Sequence, residues 1–409
     1  MWMAVKRGIV VAIGLLIQIL LTLFIYLKFG EFISIIQVVY GLLSIIIVLM
    51  IIKYSKRLSS DLIWILLIML FPLIGTLLYI ILSNNMKRSK VLKNINENIE
   101  NGQKYLIQDE FIKKEIDTKN LGQLKYISEF AGFPVTKNNE INYYSLGDDV
   151  YPVMLEELKK AKKFIFIEYF IINNGTMWQG ILDILKEKAN SGLDVRVLYD
   201  DMGSFAMLPS NYPKLLGKYG IKCMQFNKLS PFAGIIMNNR DHRKMMIIDG
   251  HTVFSGGINI SDEYININSK LGVWKDNGIR IKGEAVWNYT VMFLEMWNSF
   301  KKEDNDYNKY KYNFTEKYKE NGFVVPYGES PLDDVITGED IYLNIINQAK
   351  KYVYIYTPYL IIDTDMINSL ILAARRGVDV RIVVPGIPDK KIVYDLTSSY
   401  FYTLIKGGV

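Results

Sequence analysis

The chain has 409 residues, enough for two or three domains and a large buried core; half of them are hydrophobic and the mean hydropathy is +0.12. That apolarity is high for a wholly water-soluble protein and predicts that part of the chain enters a membrane. The net charge of +6 is spread along the sequence, which favours anionic lipid over a nucleic-acid-binding arm, and a single cysteine, Cys223, excludes an internal disulfide framework and a cysteine metal cage.

Three apolar runs open the chain, from Gly8, Phe32 and Leu62, each close to the roughly 20 residues a helix needs to cross the hydrocarbon core. The first is too long for a signal peptide and lacks a small-residue cleavage site, so it is expected to span. Pro72 and Gly75 interrupt the third, a feature tolerated where neighbouring helices satisfy the freed carbonyl. Residues 1–85 are therefore expected to form a multi-pass anchor of two to three transmembrane helices. Its flanking charges, Lys6, Arg7, Lys53, Lys56 and Arg57 against Lys28, Lys87, Arg88 and Lys90, do not choose an orientation. Residues 86–140, rich in Asn, Lys and Glu, are expected to be a polar, partly helical connector.

Two later segments match one another: "KKFIFIEYFIINNGTMWQGILDILKEKANSGLDVRVLYD" from Lys162 and "KKYVYIYTPYLIIDTDMINSLILAARRGVDVRIVVPG" from Lys350. Each predicts a strand, an amphipathic helix stopped at Gly192 or Gly377, and a second buried strand, which is a βαβ unit. The expected fold class is α/β: membrane helices, then a duplicated domain of mixed sheets flanked by helices. The first repeat is placed at 141–305 and the second at 306–409. In the second copy, nothing within these residues matches the stretch around His242, so that repeat is expected to be incomplete.

That stretch, "NNRDHRKMMIIDGHTVFSGGINI" from Asn238 to Ile260, holds both histidines of the chain. On an extended strand His242 and Lys244 share a face and Arg243 points away. Met245 to Ile248 predict a strand buried on both faces, and Asp249-Gly250 the turn that ends it. Asp249 has the opposite parity to His242, which suits its carboxylate to fixing the turn or a basic neighbour. Beyond the turn, Gly256 and Gly257 allow close approach of backbone or ligand, and Asn259 adds an uncharged donor. Imidazole, ammonium and amide donors together suit attack on a phosphodiester without a metal or cofactor. Competing readings are a satisfied structural histidine, a zinc ligand, which lacks partner ligands, and a Ser-His-Asp hydrolase, which lacks a nucleophile elbow. His251 is expected to be an exposed turn residue.

His242-x-Lys244 followed by Asp249, with "GGIN" at Gly256–Asn259, resembles the signature of the phospholipase D superfamily. "LYDDMGS" from Leu198, "SGGINISDEY", "WKDNGIRIKG" from Trp274, "FLEMW" from Phe293 and "TPYLI" from Thr357 are similar in order and spacing to bacterial cardiolipin synthases. The resemblance implies transfer of a phosphatidyl group between two phosphatidylglycerol molecules, giving cardiolipin and glycerol through a phosphohistidine. It implies His242 as nucleophile, Lys244, Asn259, Gly256 and Gly257 around the phosphate, Asp249 as orienting acid, no cofactor, and a membrane location with the catalytic part facing the cytoplasm. Glu168 is a candidate for support of the site or for simple pairing with an arginine. Asn277 and Gly278 depart from the family's usual threonine and histidine. The family's second signature, which carries the proton donor, has no counterpart within these residues, so the chain as it stands is expected to have little activity. Alternatives are another phospholipase D-type transferase or phosphodiesterase, and a non-catalytic membrane-binding remnant.

Overall fold

The computed structural model describes residues 33–54, 58–88, 90–119, 121–228, 240–267, 271–319, 322–330 and 336–409. The chain divides into two compact units, residues 1–93 and 94–409.

In the first unit, helices α1 (Ile33–Tyr54), α2 (Leu58–Leu70) and α3 (Pro72–Arg88) follow one another. The apolar run from Gly8 lies outside the described residues. The run from Phe32 forms α1, which leaves Val38, Leu42, Ile45, Ile46 and Leu49 exposed. The run from Leu62 is not the single span expected but breaks at Phe71 into α2 and α3. Pro72 lacks the N–H that would continue the ladder, and its ring crowds the carbonyl of the preceding turn. Gly75 then lets α3 fold back against α2, since a Cβ there would lie 2.5 Å from the Leu67 carbonyl oxygen. Ser44 of α1 and Thr76 of α3 are buried together with their hydroxyl oxygens 3.4 Å apart. Among the described residues no helix is long and apolar enough to cross a membrane, which corrects the expectation of spanning helices for that part of the chain.

From Asn94 on, the segment expected as a partly helical connector lies in the second unit. It forms α4 (Lys90–Gly102), α5 (Glu110–Thr118) and α6 (Gly122–Glu129). Asn94 donates to the Ser299 carbonyl at 3.2 Å and the Trp287 indole to the Tyr105 carbonyl at 2.8 Å. Gln108 exchanges two bonds with the Val135 main chain, at 3.1 and 2.8 Å. Polar side chains here satisfy main-chain groups of a packed surface instead of facing solvent.

The first repeat comprises β1 (Asn139–Tyr144), α7 (Gly147–Lys159), β2 (Phe164–Tyr169), α8 (Thr176–Asn190), β3 (Asp194–Asp200), α9 (Tyr212–Gly217), β4 (Lys222–Phe226), β5 (Lys244–Ile248), β6 (Thr252–Gly256), β7 (Gly278–Gly283) and α10 (Val286–Phe300). Among the described residues the strands form one mixed sheet in the order β1-β7-β6-β5-β2-β3-β4. β2, β3 and β4 are parallel; β5, β6, β7 and β1 add antiparallel. The expected βαβ unit is present, and Gly192 ends α8 with φ +90°, a conformation that favours glycine. Every residue of β2 is buried. Ile165, Ile167 and Tyr169 share a core with Met154 and Leu158 of α7 and Ile181 and Leu185 of α8. Phe166, of the other parity, stacks on Phe293 of α10 at 4.6 Å. Burial on both faces explains why β2 and β5 are continuous apolar runs. Cys223 of β4 is partly buried against the first of these cores, where burial pushes its thiol well up.

Arg196 of β3 is buried beneath Asp194, Asp304 and the Tyr310 hydroxyl, with Asp194 Oδ2 at 2.7 Å. It ties the chain through Tyr310 to β3 of the first repeat. The second repeat contains α11 (Thr337–Gln348), β8 (Tyr352–Tyr356), α12 (Thr364–Arg375), β9 (Asp379–Val383), α13 (Lys391–Ser399) and α14 (Phe401–Gly407). β8 and β9 pair in parallel as β2 and β3 do, and Gly377 ends its helix with φ +88°. The difference lies at the strand edge. β2 is also paired with β5, whereas among the described residues β8 is paired with β9 alone; on one face of β8, Tyr352, Tyr354 and Tyr356 are exposed.

Candidate active site

His242 stands two residues before β5, the central strand whose five residues are all buried. Its imidazole reaches solvent at the end of the strand and packs on the Phe170 ring, with centroids 4.8 Å apart. Phe170 follows β2, and the pairing of Tyr169 with Lys244 brings the two strand ends together. Lys244 is only 7% exposed; its Nζ donates to the His242 carbonyl at 2.6 Å and lies 5.5 Å from the same ring. Burial lowers the Lys244 ammonium to about 8, although Asp241 and Asp276 pull the other way. Desolvation by the surrounding protein, then the Lys244 charge, depress the His242 imidazole to about 4. At neutral pH the pair is therefore a neutral imidazole beside an ammonium, which is the state a nucleophile and an anion-stabilising group require.

The other residues expected at the site divide sharply. Gly256 and Gly257 are packed against the 276–278 segment: a Cβ on Gly256, which has φ +137°, would lie 2.5 Å from the Asn277 carbonyl, and one on Gly257 2.0 Å from Asp276 Oδ1. Gly257 also donates to that Asn277 carbonyl at 3.0 Å. Asp276 thus stands over the glycine pair, within the field of Lys244, with burial raising its carboxyl. Gly278, where Val150 leaves no room for a larger side chain, extends the same close packing.

Asn259 is buried and committed elsewhere: its Oδ1 accepts from Ile171 N at 3.1 Å and its Nδ2 donates to the Tyr264 hydroxyl at 2.8 Å. It steadies the chain just after Phe170. Asp249 stands at the opposite end of β5 from His242, on the order of 20 Å away at about 3.3 Å per residue. Its carboxylate accepts from the main-chain N–H of Lys162, Lys163 and Phe164 at 2.8, 2.7 and 2.9 Å. It fixes the entry of β2 and does not join His242, as its strand parity anticipated. His251 lies at that same far end and is half-buried, not the exposed turn residue expected. Its ring packs on Tyr312 and Phe314, at 4.9 and 5.6 Å.

Glu168 is buried on the face of β2 opposite Lys244 and meets Arg243 at 3.7 Å, which agrees with the pairing of an acid and an arginine. It also abuts buried Asp241, and two carboxyls can share such a space only with a proton between them. Burial first, then Asp241, push the Glu168 carboxyl well up, so that Glu168 carries that proton.

Phe170 and Asp276, and Asp200, whose Oδ2 accepts from the N–H of Asp241 beside the histidine at 3.0 Å, are neighbours of the site that sequence reasoning missed. Asp276 and Asp200 stand inside segments quoted for the resemblance, yet nothing in their local pattern points to the histidine.

Comparison with known proteins decides the family. The family described as "Cardiolipin synthase, PLD-like domain" matches residues 154–297 and 342–409. The chain belongs to this family. A second family, "Phospholipase_D-nuclease N-terminal", matches residues 42–84. Among relatives of this cardiolipin synthase family member, an uncharacterized protein of Streptococcus mutans is 42% identical over 85% of this chain and 76% of its own length. Cardiolipin synthase 1 of Staphylococcus aureus is 32% identical over 87% and 74%, and cardiolipin synthase of Alkalihalophilus pseudofirmus 31% identical over 91% and 75%. The matched segments are those of a phospholipase D-like enzyme.

Proposed function

We propose that the chain is a phosphatidyltransferase that acts on phosphatidylglycerol through a phosphohistidine on His242. The observation that carries this reading is the neutral, solvent-facing imidazole of His242 set on Phe170 beside the buried Lys244 ammonium. In the first step an imidazole nitrogen forms a bond to phosphorus while the bond from phosphorus to the glycerol headgroup oxygen breaks. Lys244 offsets the charge that builds on the phosphoryl oxygens. In the second step the headgroup hydroxyl of another phosphatidylglycerol attacks phosphorus and releases His242, giving cardiolipin. The departing glycerol takes up one proton and the attacking hydroxyl gives one up, so the sum is balanced.

A general acid must supply the first proton. His251, the other histidine of the 409 residues, is packed on Tyr312 and Phe314 at the far end of β5 and cannot serve. These residues assayed alone are therefore expected to form phosphohistidine slowly and to make little cardiolipin. The apolar surface of α1 and the N-terminal family match over residues 42–84 support attachment to a membrane; the cytoplasmic side for the catalytic unit follows from the family resemblance alone.

The test is incubation of the purified chain with phosphatidylglycerol labelled at phosphorus in mixed micelles. Label should be retained on the wild-type protein after alkaline denaturation and be absent from His242→Ala. Equal labelling of the two proteins would overturn the assignment, and release of phosphatidic acid in place of transfer would point to hydrolysis.

A further inference from the structure

The main chain that carries His242 is not part of β5 and receives no ladder bond of its own, so something else must hold it. Asp200, the last residue of β3, is completely buried and does so from two directions. Its Oδ2 accepts from the N–H of Asp241 at 3.0 Å, one residue before the histidine. Its Oδ1 accepts from Met202 and Gly203 at 2.9 and 3.1 Å and stands 3.5 Å from Arg240. Those bonds fold the 201–204 turn against the exit of β2: a Cβ on Gly203 would lie 2.1 Å from the Phe170 carbonyl oxygen, and the Ser204 hydroxyl accepts from Ile172 N at 3.0 Å. Phe170 is the ring on which His242 rests.

The contacts close a circuit from Asp200 to Asp241 and His242, across to Phe170, and back through Gly203 to Asp200. We infer that Asp200 is a positioning residue for the nucleophile, setting the His242 main chain with one carboxylate oxygen and the aromatic platform beneath its ring with the other. The inference rests on the reading of His242 as the nucleophile, and a carboxylate is required because each of its oxygens accepts. In asparagine, one end would present N–H to a main-chain N–H, and either the histidine arm or the platform arm would be lost.

Histidine labelling makes this testable without activity, because the full chain has two histidines and His251 serves as an internal reference. With 15N-histidine in the detergent-solubilised 409-residue chain, His242 of the wild type should titrate near 4. In Asp200→Asn its ring signals should shift and its titration midpoint rise towards the ordinary value near 6.5, with those of His251 unmoved. Ser204→Ala, a milder loosening of the platform arm, should shift the His242 signals the same way by less, and it carries the test should Asp200→Asn fail to fold. Phosphohistidine formation should fall about 100-fold in Asp200→Asn, the cost of a misplacement of about 1 Å, and recover in part in Asp200→Glu. Unmoved His242 signals in the folded variants, or equal shifts of both histidines, would overturn the inference. Absence of phosphohistidine in the wild type would instead overturn the proposed function and leave the spectroscopic test standing.

Discussion

The ring of Phe170 lies beneath the imidazole of His242, centroids 4.8 Å apart and planes tilted by 53°. The same ring faces the Lys244 ammonium at 5.5 Å, so one side chain touches both groups, covers one side of the imidazole and adds a cation–π attraction. Phe170→Ala should therefore raise the His242 titration midpoint and slow phosphohistidine formation about tenfold, or ~1.4 kcal/mol. Single-turnover quench measurements check this, and an unchanged rate would remove Phe170 from the site.

The pH profile of the first step follows from the two depressed groups. Below about 4 the His242 imidazole is protonated and cannot attack; above about 8 Lys244 loses the charge that stabilises the phosphoryl oxygens. Phosphohistidine formation should rise through the lower value, hold across neutrality and fall through the higher one. Burial also raises the Asp200 carboxyl to about 6, so the limb of His242 is read in Asp200→Asn, where an acidic limb that stays near 4 would contradict the positioning role of Asp200.

Asp276 raises the Lys244 value by its nearby negative charge. Asp276→Asn removes that charge, so the alkaline limb should move to lower pH while the acidic limb stays nearly in place. Gly257→Ala should act on the same group, since its new methyl would meet the Asp276 carboxylate. An alkaline limb that moves upward in Asp276→Asn would show that the two side chains do not interact as the geometry requires.

Asp249 is expected to behave as a structural residue. Its carboxylate takes three main-chain N–H groups at the start of β2, and losing such charge-assisted bonds costs about 3 kcal/mol. Asp249→Ala should lower the urea midpoint accordingly while leaving phosphohistidine formation per folded molecule within about twofold. A variant of wild-type stability with no phosphohistidine would return Asp249 to the chemistry.

Much of this site was legible along the chain. The period of two places His242 and Lys244 together, Met245 to Ile248 announce a strand buried on both faces, and the parity of Asp249 already directed it to the turn. Gly192 and Gly377 mark matching helix ends because each needs a positive φ, a local demand that the residue type itself reports. In the long polar stretch after residue 86, Asn94 bonds to main chain 205 residues away and Gln108 to main chain 27 residues away, a use that composition does not distinguish from solvation.

The sequence alone determined the repeat, the central strand and the identity of the imidazole and ammonium, all of which depend on spacing within a few residues. The tertiary structure decided what those groups can do. Phe170 beneath the histidine, Asp276 over the glycine pair and Asp200 behind the main chain come from strand ends dozens of residues apart, brought together by the β3-β2-β5-β6-β7 order of the sheet. Desolvation and through-space charge, which set the protonation of His242 and Lys244, exist only once those ends meet.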